Sequence, residues 1–156
     1  MTSEFDFLVY HEVGHAAVAF YFGLRLGPVR VKQDKGGDAT SDKGTDAQNV
    51  LIALAGGRAE LVLDPSCVGE RDGAAEDEVC AQNIIQEYVQ SQRADELPDY
   101  LDKLCYRVSR RLAHRCEAIV REMWPAIQRL AAVLARKPEL TGAEAERILA
   151  GIFRSE

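Results

Sequence analysis

The chain has 156 residues, 47% apolar and 28% charged, the balance of one soluble globular domain with a core of its own. Twenty-five acidic residues against nineteen basic leave a net charge of −6, which argues against nucleic acid and anionic membrane surfaces as partners, since both favour a basic face. No run reaches the ~18 apolar residues of a membrane span, and the acidic start, Met1 to Asp6, does not read as a secretion signal. Cys67, Cys80, Cys105 and Cys116 show no CxxC spacing and are expected as reduced, mostly packed thiols of a cytoplasmic protein. A GxxxxGK[ST] loop and a GxGxxG are both missing, so nucleotide chemistry has no visible seat.

Ser3 with Asp6 resembles a capping box, and the apolar stretch to Phe22, stopped by Gly23, predicts a central helix buried almost all round. Pro28 to Lys32 alternates apolar with charged residues, the period of a half-exposed strand. Such a strand needs a partner, and a short strand inside the next loop is one candidate. Asp34 to Asp46 is charged and glycine-rich and is expected as a mobile loop.

Thr45 and Gln48 form a second capping box, opening a helix from 46 to 63 that Asp64-Pro65 ends. Gly56-Gly57 in its middle costs about 1 kcal/mol per glycine relative to alanine, which predicts another backbone passing close. A loop through Gly69 and Gly73 leads to a helix over 74–92 with Val79, Ile84, Ile85 and Val89 as its apolar set. A long helical pattern follows Leu97-Pro98 to Arg136, kinked or divided at Pro125. Thr141 and Glu144 cap a final helix ending near Gly151. The expected class is mainly α with a minor β element, a single helical zincin-like domain over 1–156.

The segment that carries chemistry is His11-Glu12-Val13-Gly14-His15, an HExxH inside the first helix. Residues four apart share a face, so both imidazoles reach one metal ion. Glu12 lies about 100° round the helix, placed to hold and deprotonate a metal-bound water. Gly14 is expected to leave room for the site. Two core histidines beside a surface glutamate are the plainer alternative, but burying such groups without a shared partner is expensive.

Tyr10-His11-Glu12-Val13-Gly14-His15-Ala16-Ala17-Val18-Ala19 resembles the HEAGHAxVA segment of the peptidase domain of FtsH-type proteases. Pro28 to Val31 resembles that family's strand, Leu54 to Glu60 its GGRAAE helix, and Gly73 to Asp77, with Ala81, its GASND block. Weaker similarity continues through Leu130–Leu134 and Leu140–Glu144. The resemblance implies a zinc metalloendopeptidase and makes Val29, Arg30 and Val31 the strand that aligns an extended peptide. These 156 residues contain neither the family's AAA+ module nor its anchor, so unfolding is left to a separate ATPase or chaperone partner and cleavage is expected to be ATP-independent.

A catalytic zinc takes three protein ligands plus water. Asp77, 62 residues beyond His15, matches the family's ligand aspartate and falls early in the third helix; Asp72, Glu76 and Glu78 are its neighbours. Glu60 is the alternative third ligand, read instead as an ion-pair partner outside the metal. His114 sits among Arg110, Arg111 and Arg115 and fits a solvated face, while Trp124 fits the core. The expected reaction is hydrolysis of peptide bonds in unfolded or flexible chains, with Zn²⁺ held by His11, His15 and Asp77 and Glu12 as general base. A zinc-containing peptide-binding or regulatory module with little turnover is the competing expectation.

Overall fold

The computed structural model describes residues 2–66 and 72–153. It is mainly helical: α1 (Glu4–Tyr21), α2 (Asp46–Leu63), α3 (Asp72–Gln92), α4 (Pro98–Glu122), α5 (Trp124–Arg136) and α6 (Gly142–Phe153). Three short strands, β1 (Leu26–Lys32), β2 (Gly36–Ser41) and β3 (Glu139–Leu140), form one antiparallel sheet in the order β2-β1-β3. Cys67 and Gly69 lie outside the described residues.

α1 is the central element. Ser3 Oγ accepts from the Asp6 amide at 3.1 Å while the Ser3 amide donates to Asp6 Oδ2 at 2.9 Å, so the capping box forms with an aspartate in the usual Glu position. At the other end Gly23 takes φ +74°, and the Gly23 and Leu24 amides donate to Phe20 O and Ala19 O. This closing pattern needs a residue at ease in the left-handed region, and glycine supplies it. Between the ends, Val9, Val13, Ala16, Ala17, Val18 and Ala19 are all buried. Helices α2, α4, α5 and α6 and strands β1 and β2 all pack against α1, which accounts for its lack of a polar face.

α2 has the predicted bounds, with Thr45 Oγ1 accepting from the Gln48 amide at 3.2 Å and Gln48 Oε1 accepting from the Thr45 amide at 3.0 Å. The helical pattern beyond Leu97 divides at Met123, because Pro125 has no amide to continue the ladder and enters α5 in its first turn. The two halves meet the core through Ile119, Met123, Ile127, Leu130 and Leu134.

Four expectations are corrected. The segment 34–46 is not simply a loop: it turns at Asp34 and Gly36, both with positive φ, and returns as β2 against β1, pairing Val29 with Ala39 and Val31 with Gly37. Its Gly-Gly-Asp-Ala-Thr-Ser sequence has almost no side chain to bury, so the pairing rests on backbone hydrogen bonds that composition does not advertise. Val79 is 60% exposed rather than part of the apolar face of α3. Ala81, Ile85 and Val89 form the buried stripe, and a residue two positions from Ala81 points about 200° away from it. Cys116 is packed and Cys105 half-buried, but Cys80 is exposed.

The fourth concerns β1 as a peptide-aligning strand. Val29, Arg30 and Val31 lie in the middle of the sheet, with β2 on one side and β3 on the other, and the Val31 amide donates to Pro138 O at 2.9 Å. Val29 and Val31 face the core, so neither their edge nor their side chains are open to a substrate. Among the described residues the unpaired edge next to α1 belongs to β2.

Candidate metal centre

His11 and His15 project from one face of α1 towards α2 and α3. Their Nε2 atoms stand 3.1 Å apart, and Asp77 Oδ2, from α3, lies 2.9 Å from the first and 3.1 Å from the second. A triangle with sides near 3 Å lets one ion sit ~2 Å from every corner, the span of Zn–N and Zn–O bonds. Among the described residues these three form the one group of His, Cys, Asp or Glu atoms close enough to hold a metal.

The other ring nitrogens determine what those corners carry. His11 Nδ1 lies 2.7 Å from Glu60 Oε1, and His15 Nδ1 lies 2.6 Å from the Ile52 carbonyl. Both partners are acceptors, so each Nδ1 donates its proton and each ring turns its Nε2 towards Asp77. Both Nε2 atoms and the buried Asp77 Oδ2 thus converge on one point, where a metal ion or a proton on His11 is the cation that joins them. Three electron-rich atoms at this spacing repel one another until a cation is placed among them. The donor set therefore fits a divalent metal with nitrogen and oxygen ligands.

The titration behaviour has the same origin. Burial pulls the His11 imidazole down, but the Asp77 and Glu60 carboxylates outweigh it and raise it to about 9. Burial pushes Asp77 up, and the two imidazoles overcome this and hold it well below the usual carboxylate range. In each case a positive charge between the rings and Asp77 is favoured, whether a proton or a metal ion.

Glycines make this geometry possible. A Cβ on Gly56 would lie 2.6–2.7 Å from atoms of both imidazoles, so α2 presents bare backbone beneath the two rings. The close neighbours of the Gly-Gly pair are thus the metal-facing histidines and, for Gly57, the side chain of Ala74, rather than another backbone. Gly14 serves helix packing: its Cβ would meet Ala55 O at 2.7 Å and the Ala59 side chain at 2.9 Å. This close crossing of α1 and α2 brings Glu60 to His11.

Glu12 lies beside the triangle, 6% exposed, and its carboxylate has no hydrogen-bond partner among the described residues. Burial raises its pKa, with the two imidazoles opposing and Asp77 and Asp38 assisting. Gly37 of β2 covers it so closely that a Cβ there would meet Glu12 Cγ at 2.7 Å. His11, Glu12, His15 and Asp77 open onto a cleft of about 1040 Å³ walled by β2, the start of α2 and one face of α3. His114 is exposed on α4, and Trp124 is half-buried, stacked on Tyr10 at 5.4 Å.

Glu60 was legible as an ion-pair partner, and its contact is with His11 Nδ1. Ile52 and Gly37 carried no signal, because one acts through its carbonyl and the other by lacking a side chain.

Residues 7–60 match a family profile described as Peptidase M50B-like, about a third of the chain. The match begins in α1 and ends at Glu60, so it spans the HExxH helix, both long strands and most of α2. No curated protein matches the chain. The match overturns the resemblance to FtsH-type proteases: the similarity found is to an M50B-like peptidase. Of the residues that suggested the FtsH type, Gly14, Gly56, Ala59 and Glu60 all act where α1 crosses α2. The match carries no location, so the cytoplasmic placement has no support from it. Among the described residues no helix is long and apolar enough to cross a membrane.

Proposed function

We propose that this chain is a zinc-dependent endopeptidase acting on unfolded or flexible polypeptides. The observation that carries the reading is the convergence of two imidazole Nε2 atoms and a carboxylate on one point, beside a buried glutamate without a partner.

In this reading His11, His15 and Asp77 hold the ion. Zinc bound there lowers the pKa of a coordinated water towards ~7 and polarises a carbonyl oxygen. Glu12 accepts the proton of the attacking water and returns it to the leaving amine, and burial makes its carboxylate more basic than an exposed one. Glu60 fixes the tautomer and tilt of His11, as Ile52 O does for His15. The open edge of β2 along the cleft offers main-chain hydrogen bonds to an extended substrate, which favours flexible chains over folded ones.

The test is chelation and reconstitution with unfolded casein. Cleavage should vanish with a strong chelator and return with stoichiometric zinc, and His11→Ala or His15→Ala should do neither. Turnover that persists in the metal-free chain contradicts the reading.

A further inference from the structure

We propose that the cleft selects cationic polypeptide segments, lysine- or arginine-bearing stretches laid along its two acidic walls. This proposal rests on the peptidase reading above and names its substrate class.

Beyond Glu12 and Asp77, the charged residues lining the cleft are Asp38, Asp42, Asp46, Glu76 and Glu87 against the single base Lys43. Over the whole chain acids and bases stand at twenty-five to nineteen, so five to one is a local segregation. All five acids are exposed, and none forms an ion pair among the described residues. Elsewhere on the surface Arg30, Arg93, Arg121 and Lys137 each pair with a glutamate. The cleft carboxylates therefore keep their field directed into the groove, where it attracts positive charge.

The acids occupy both walls. Asp38 comes from β2, Asp42 from the segment after it and Asp46 from the first turn of α2, while Glu76 and Glu87 lie on α3 opposite. Eleven residues of helix separate the last two, about 16 Å, the length of roughly five extended residues. A peptide following β2 thus meets carboxylates on either side over several consecutive positions. Between the walls lie Glu12 and the buried Asp77 Oδ2, which lacks a hydrogen-bond partner among the described residues, so the groove carries further negative charge at its floor.

Each exposed pair is worth little alone, a few tenths to 1 kcal/mol in ordinary salt. Several acting together give roughly tenfold discrimination between a cationic and a neutral sequence. Raising the ionic strength should erase most of it, because the Debye length shrinks to ~3 Å at 1 M.

The experiment uses the zinc-loaded full chain and two fluorescent peptides of one length, one carrying four lysines and the other glutamines at those positions. Binding is read by anisotropy with Glu12→Gln, which does not consume the peptide, and cleavage is read with the wild type. The lysine peptide should bind about tenfold more tightly at low salt, and the difference should collapse at 1 M salt. It should also collapse in Asp42→Asn/Asp46→Asn/Glu87→Gln, three exposed positions whose neutralisation leaves the core untouched. Equal binding of the two peptides at low salt, or a preference unchanged in the triple variant, overturns the proposal. Selective binding of the lysine peptide with no cleavage of either peptide supports charge selection and overturns the peptidase reading instead.

Discussion

Glu60 grips His11 from the ring nitrogen opposite the one that faces Asp77: Nδ1 lies 2.7 Å from Glu60 and Nε2 lies 2.9 Å from Asp77. One carboxylate orients the ring and the other completes the triangle, so their removal has different consequences. Glu60→Ala should weaken zinc binding by about ten- to a hundredfold, as loss of an orienting partner does. Asp77→Ala removes a ligand and should cost more, whereas His114→Ala should change nothing. A competition titration against a chromophoric chelator gives the order, and a larger loss for Glu60→Ala would make Glu60 the third ligand.

Gly56 is predicted to be irreplaceable for metal but not for the helix. Alanine is the better helix former by about 1 kcal/mol, yet its methyl would lie 2.6–2.7 Å from both imidazoles and force them apart. Gly56→Ala should keep its helical circular dichroism and lose most of its zinc. Full zinc content in that variant would mean that the rings reach the metal from another direction.

The metal-free protein should show an alkaline loss of stability that zinc removes. His11 is raised to about 9 from an ordinary 6.5, so its contribution is present below ~6.5 and is lost as pH rises through about 9. Asp77 is lowered, so its contribution is present above its ordinary 3.8 and is lost as pH falls through its depressed folded value. Thermal melts of the metal-free chain should decline from pH 7 to pH 10. Zinc binding at pH 7 should release about one proton, measurable by calorimetry in buffers of different ionisation enthalpy. Zinc uptake without proton release would mean that His11 is neutral in the metal-free chain.

Much of this architecture is written locally. The capping residues Ser3, Thr45 and Thr141 each accept from the amide three residues on, and the helices they open begin there. His11, Glu12 and His15 were legible because helical spacing alone decides that the two histidines share a face. What the sequence conceals acts through backbone or across the fold. β2 pairs without apolar side chains, the Ile52 carbonyl orients His15, and Gly37 covers Glu12 by having no side chain. Val31 reads as half of an alternating strand in either register, and only the placement of β3 shows that both its edges are taken. The residues where α1 crosses α2 made both the metal site and the mistaken family legible: Gly14 lets the helices approach and Gly56 leaves room for the two imidazoles.

Folded substrates should resist cleavage. Access to an extended cleft depends on the open fraction of the target, about 10⁻³ or less for a stable domain, so reduced, unfolded casein should be cut while a tightly folded domain of similar size survives. ATP should not alter either rate, because these 156 residues contain no phosphate-binding loop.

The most direct test of the central claim compares the zinc-loaded wild type with Glu12→Gln on one flexible fluorogenic peptide, with metal content measured on the same samples. Glu12 lies outside the ligand triangle, so both proteins should hold one zinc per chain. The variant should turn over more slowly by a factor of about 10² or more, the usual worth of a positioned base. Equal rates at equal zinc content would contradict the account.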